Sequence, residues 1–171
     1  VTGLEPSEIS ADITNLVPGR SAHDYCGILS RYKNGARGSF VVTQAAAGAI
    51  HGLRIRVYGS LGSLEWFQEQ PDELWHRPLD QPAQLLIRGG PGLSAAANRA
   101  THVAIGHPEG YIEAFANLYQ DLADVISARI LGVEPDPLAQ DFPDITDGVR
   151  GVAFVEASVR SNQSNASWQT L

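Results

Sequence analysis

The sequence contains no methionine, not even at position 1, so Val1 cannot be a translation start. The chain is therefore expected to be a processed or excised piece of something longer. It has a single cysteine, Cys26, which cannot form an internal disulfide and suits a reducing compartment. No run approaches the roughly 18 apolar residues of a membrane span. The N-terminus also lacks the basic-then-apolar layout of a secretory signal. Net charge is −7 with no cluster of Lys or Arg, which argues against nucleic acid as a partner. A cytoplasmic location is expected, with neither membrane nor nucleic acid as partner.

What is present is globular. Apolar residues make up 43% and charged residues 18% of 171 positions, enough for one domain or at most two very small ones. The first ninety residues read as strands. Glu8–Val17 alternates and stops at Pro18-Gly19. Asp24–Lys33 and Arg37–Ala47 flank Asn34-Gly35, a favoured hairpin turn. Leu53, Ile55 and Val57 alternate with Arg54, Arg56 and Tyr58, the period of a half-buried strand. Gly59–Gly62 turns the chain into Ser63–Glu69, and short strands follow near Glu73–Arg77 and Gln84–Arg88. Each strand has one polar face, so the sheet is expected to be antiparallel and covered on one side.

The second half reads as helix, after a loop over 89–106 with one helical turn at most. Pro108 suits a first turn, with Glu109 near the positive helix end. Tyr111, Phe115, Leu118, Leu122 and Val125 then form an apolar stripe, and Gly132 ends the helix. A second helix spans about Thr146 to Asn162, capped by Thr146 or Asp144, with Val149, Val152 and Val159 facing inward. Trp168 returns to the sheet. Strands first and helices later give an α+β fold: an open, mostly antiparallel sheet with helices packed on one face. A Phe115→Asp change should break that layer.

Self-contained chemistry is scarce. The five histidines include no H-x-x-x-H or H-E-x-x-H pair and there is no second cysteine, so no metal site is expected. His102 reads as a loop residue and His76 as a strand residue beside Trp75. Asp141, Asp144 and Asp147 step by three, as helix caps do, whereas a calcium loop steps by two. Gly89-Gly90-Pro91-Gly92 lacks the Lys-Ser/Thr of a phosphate loop. Cys26 sits in a strand with no basic neighbour and reads as core packing. Asn162-Gln163-Ser164 and Asn165-Ala166-Ser167 are glycosylation sequons without a secretory signal. A secreted carbohydrate-binding domain would explain them together with Trp75, and it too lacks the signal. His51, closing a run of small residues, and His107 with Tyr111, at a helix start, remain as binding candidates. A purely structural role is open for each.

Arg56-Val57-Tyr58-Gly59-Ser60-Leu61-Gly62-Ser63-Leu64-Glu65-Trp66 resembles the Gfo/Idh/MocA oxidoreductases. So do Gly106-His107-Pro108-Glu109-Gly110-Tyr111-Ile112-Glu113-Ala114-Phe115 and the segment Asp144–Ala157, which looks like that family's closing helix. Val1–Pro6 looks like the end of the first helix of its C-terminal domain. The resemblance spans essentially the whole chain.

The resemblance implies a single C-terminal substrate-binding and oligomerisation domain over 1–171, of the dihydrodipicolinate-reductase-like type. NAD or NADP would be bound by an N-terminal Rossmann domain not in this sequence. Hydride would move to or from a sugar, polyol or related hydroxy/keto compound. The nucleotide loop, the lysine of Glu-Lys-Pro and the Asp-x-x-x-His pair all lie outside this sequence, so no catalytic residue is carried over and the fragment alone is expected to be inactive. His51 takes the position of a substrate-contacting side chain. His107 and Tyr111 match a motif that serves the substrate pocket or domain packing. The sheet face would build a homodimer or homotetramer, with Arg54 and Arg56 as interface candidates. The alternative is a non-catalytic binding or assembly module that keeps the fold without the chemistry.

Overall fold

The computed structural model describes residues 2–171, which divide into two compact units. One comprises the chain up to Gly48 together with Pro143–Leu171, and the other comprises Ala49–Phe142. The α+β class and the antiparallel pairing are as the alternation predicts. The strands, however, form two four-stranded sheets instead of one.

In the first unit, β1 (Pro6–Thr14), β2 (Tyr25–Tyr32) and β3 (Arg37–Thr43) form an antiparallel meander. Gly35 takes the positive φ that the Asn34-Gly35 turn requires. The first helix encountered in this unit is numbered α3 by chain order (Ile145–Gln163). The Asp144 carboxylate caps it by accepting from the Thr146 and Asp147 N–H groups. Ile9, Ala11, Ile28 and Ala157 form the core, flanked by Ile13, Cys26 and Phe154. Phe40 meets Phe154 edge-on at 5.7 Å.

The helix turns Ala153, Phe154, Ala157, Ser158 and Ser161 inward, not the predicted valines. Val149, Val152 and Val159 are exposed. The reason is steric: alanine and serine let the helix backbone approach β1, and branched side chains would hold it off. Ser161 and Asn162 also do a strand's work. Ala11 N–H donates to Ser161 Oγ at 2.9 Å and Ile13 N–H to Asn162 Oδ1 at 2.8 Å. They extend the edge of β1 beyond the two-residue β8 (Gln169–Thr170), which pairs only Glu8 and Ile9. Trp168 leads into β8 and lies 3.9 Å beneath the Arg31 guanidinium. The amide of Asn162, half of one sequon, is thus engaged with the backbone.

In the second unit, β4 (Arg54–Gly59), β5 (Gly62–Phe67), β6 (Glu73–Pro78) and β7 (Gln84–Ile87) form a second meander in sequence order. The register pairs Arg56 with Glu65 and Glu65 with Trp75. Then come α1 (Ala95–Arg99), α2 (Tyr111–Leu131) and a 3-10 turn at Pro137–Ala139. Pro108 lies before α2, which begins after Gly110, so the predicted first turn is three residues early. Gly132 is left-handed at φ 68°, with Val133 N–H bonded to Ala128 O, as a glycine stop requires.

The sheltered side of α2 is also not the predicted one. Tyr111 and Phe115 are 70% and 49% exposed, and Leu118 and Leu122 are exposed as well. Of the predicted stripe only Val125 is half-buried. The side turned inward carries Glu113, Asn117, Asp121, Asp124 and Ala128. Polar partners hold it there. Arg99 of α1 pairs with Asp121 at 2.9 Å, Asp124 at 2.7 Å and Asp136 at 3.2 Å. No helix among the described residues is long and apolar enough to cross a membrane.

Candidate functional site

A cavity of about 500 Å³ lies in the second unit, where the start of α2 faces β5 and the loop before β6. Its walls include Trp66, Pro71, Arg88, Tyr111, Glu113 and Asn117. Alternation along β5 turns Trp66 to the side opposite Glu65. Its indole N–H donates to Pro71 O at 3.1 Å, which fixes the ring as a wall.

Arg88, just after β7, organises the floor. Its Nε donates to Asp72 at 2.6 Å, its Nη1 to Val103 O at 2.9 Å and its Nη2 to His107 O at 2.6 Å. Nη1 also lies 2.5 Å from the buried carboxylate of Glu109. Glu109 in turn accepts from His102 N–H at 2.8 Å and Val103 N–H at 3.3 Å. Its role is to tie this loop to Arg88, not to complement a helix end as the sequence suggests. The hydrogen bond to Asp72 leads the causes that raise the Arg88 pKa. Glu113 closes the far side: its carboxylate accepts from Gly110 N–H at 2.9 Å, and that bond first of all holds its pKa below the usual range. Asn117 Nδ2 donates to Ala100 O at 3.2 Å, and its Oδ1 meets the His102 ring.

Of the three sequence candidates for substrate contact, Tyr111 lines this cavity, its ring 5.0 Å from that of Phe115. His107 contributes its backbone carbonyl to Arg88, while its exposed ring lies 3.3 Å from Ala104 O. His51 is exposed next to Gly52, whose N–H binds Glu69. That backbone bond is the leading cause of the lowered Glu69 pKa, with His51 a smaller one. Neither histidine side chain is part of the cavity wall. Trp66, Arg88, Glu109, Glu113 and Asn117 were not among the sequence candidates for substrate contact. Trp66, Glu109 and Glu113 lie within the segments that carry the family resemblance, Arg88 is the last residue before the glycine-rich break, and Asn117 left no trace.

Arg54 and Arg56 lie on the other side of the same sheet, where both donate to Glu65. Chemically, the cavity offers an indole face, a phenol and fixed charges, a wall suited to binding. Among the described residues that line it, no nucleophile is paired with a base. Nor do any three His, Cys, Asp or Glu side chains among the described residues group as a metal site.

The family model for the GFO/IDH/MocA C-terminal domain matches residues 1–65. An uncharacterized oxidoreductase, YfiI of Bacillus subtilis (strain 168), is 34% identical over 168 residues, covering 96% of this chain and 42% of that protein. The structure of an oxidoreductase from Sinorhizobium meliloti superposes with a TM-score of 0.93 at 42% identity, over 99% of this chain and 47% of the other. An inositol dehydrogenase homolog from Azotobacter vinelandii, in complex with NADH and myo-inositol, gives 0.89 at 34% identity, over 99% and 45%. The chain thus spans less than half the length of each of these relatives.

Proposed function

We propose that this chain, which matches the GFO/IDH/MocA C-terminal domain model over residues 1–65, is the C-terminal substrate-binding and assembly domain of an NAD(P)-dependent oxidoreductase acting on a sugar or polyol. The observation that carries this reading is the likeness, over nearly the whole chain, to a relative described in complex with NADH and myo-inositol. The relative's ligand is a ring of hydroxyl groups, and the cavity beside Tyr111 has the size and the aromatic walls to hold part of such a ring.

In this proposal residues 1–171 act as one C-terminal domain of a cytoplasmic protein, and the nicotinamide nucleotide is held by a domain outside this chain. The nucleotide supplies the hydride chemistry when bound. This chain's own residues bind and orient the substrate: Trp66 gives a flat apolar wall, Tyr111 a phenolic hydroxyl, and Glu113 a carboxylate that can accept hydroxyl hydrogen bonds. His51 and His107 are proposed as outer contacts. Arg54 and Arg56, on the opposite side of the sheet, are proposed to face a second copy in a homodimer or homotetramer.

The test uses the full-length protein. Tyr111→Phe should raise KM for a cyclic polyol about tenfold, the loss of one hydrogen-bonding group, with kcat nearly unchanged. An unchanged KM would remove Tyr111 from the site. Full-length protein that binds a polyol but never reduces NAD or NADP would favour the assembly or binding module.

A further inference from the structure

The second sheet carries an arrangement that neither substrate binding nor hydride transfer uses. The register pairs Arg54 with Phe67, Arg56 with Glu65, Glu65 with Trp75 and Ser63 with Arg77, so all these side chains share one face. At its centre Glu65 is only 8% exposed. Three guanidiniums converge on it. Arg54 donates through Nε at 2.6 Å and also through Nη2, Arg56 donates through Nε, and Arg77 Nη1 lies 2.9 Å from the other carboxylate oxygen.

The arginines are held from the side as well. The Arg54 guanidinium lies 4.5 Å above Phe67 and that of Arg77 lies 5.0 Å from Trp75. One carboxylate against three guanidiniums leaves a local charge of about +2 in a chain whose net charge is −7. The arginine side chains remain 39–43% exposed. Arg54 Nη1 and Arg77 Nε and Nη2 make no bond to Glu65, so donors of fixed direction remain available, and Tyr58 meets Arg56 on the same face.

A single carboxylate needs one guanidinium. Crowding three around it costs like-charge repulsion, which a second, polyvalent anion relieves. Guanidinium forks match tetrahedral oxyanions in geometry and bind them with charge-assisted hydrogen bonds. We propose that Arg54, Arg56 and Arg77, pre-positioned by Glu65, form a binding site for a phosphate group, free or carried as a monoester on a small molecule. The site is complete within one copy of the chain. It shares its face with the assembly surface proposed above, so a second copy seated there would compete with phosphate for the same arginines.

The test is isothermal titration of the full-length protein with inorganic phosphate and, separately, with glucose 6-phosphate, at an ionic strength held constant with chloride. Saturable binding is expected, weakened at least tenfold in both Arg77→Gln and Arg56→Gln and unchanged in Arg37→Gln, an exposed arginine on β3. Tighter binding of the ester would assign the site to a phosphorylated metabolite, and equal binding to phosphate itself. No saturable heat, or equal weakening by Arg37→Gln, would overturn the proposal. Light scattering of the same samples separates the two readings. An Arg77→Gln protein that loses assembly yet binds phosphate normally would keep the assembly reading and overturn this one.

Discussion

Arg88 Nη1 lies 2.5 Å from Glu109 Oε2, with the two side chains 14% and 2% exposed. The pair joins the residue just after β7 to the residue just before the cap of α2, and Glu109 spends its remaining capacity on two loop N–H groups. Removing one partner of such a pair leaves buried donors and a buried charge without compensation. Glu109→Ala should therefore destabilise the fold by about 3 kcal/mol, read as a lower urea midpoint. A change within about 0.5 kcal/mol, typical of surface sites, would contradict the role given to the pair.

Asp24 accepts from Leu16 N–H at 2.7 Å and Val17 N–H at 3.1 Å, with Arg20 at 3.3 Å. The Leu16 bond leads the causes that hold its pKa below the usual aspartate range. A depressed folded-state pKa contributes stability that is present above the unfolded value of about 3.9 and is lost as pH falls through the folded one. Asp24→Asn should therefore show a shallower loss of stability between pH 5 and pH 2 than the parent, about the window in which such a group titrates. Chemical denaturation at several pH values gives the slope, and parallel curves would reject the assignment.

Gly62 sits at φ 150°, and a side chain there would collide with the Arg77 carbonyl. Gly35 is also at positive φ, 88°, but has open space around it. Gly62→Ala should cost more than Gly35→Ala, by at least about 1 kcal/mol, because strain and collision add only at the first. Thermal unfolding of the two variants side by side decides it. Equal losses would mean that the hairpin relaxes freely.

Phe115 was expected from periodicity to be a core residue whose conversion to Asp breaks the fold. It is half exposed, with its ring 5.0 Å from that of Tyr111, so Phe115→Asp should cost no more than about 1.5 kcal/mol. Ala128→Leu, on the sheltered side of the same helix, should cost about 1–3 kcal/mol by overpacking. Circular dichroism melts would show the order, and the reverse order would restore the apolar stripe as the packing face.

The local features of this chain follow from sequence because their causes are local. Glycine at the hairpin turns, alternation in β4, the Asp144 cap and the Gly132 stop each act over a few residues, and the strand limits came within a few positions of the structure. The class and the likeness to known oxidoreductases were legible for the same reason, through short motifs in order. What tertiary structure decided is how distant residues share an environment. Along α2, Glu113, Asn117, Asp121, Asp124 and Ala128 repeat with the same helical period as the apolar stripe, so periodicity offers two faces and cannot choose. Arg99 chose, by pairing with the acidic one. Along α3, close approach to β1 selected Ala157 and Ser161 over larger valines. Arg77 joins Arg54 and Arg56 only because two ladder registers place β4 and β6 on either side of Glu65. Glu109 finds Arg88 across twenty intervening residues that include α1. Pairings of that kind depend on chain closure over long distances, which no local pattern encodes.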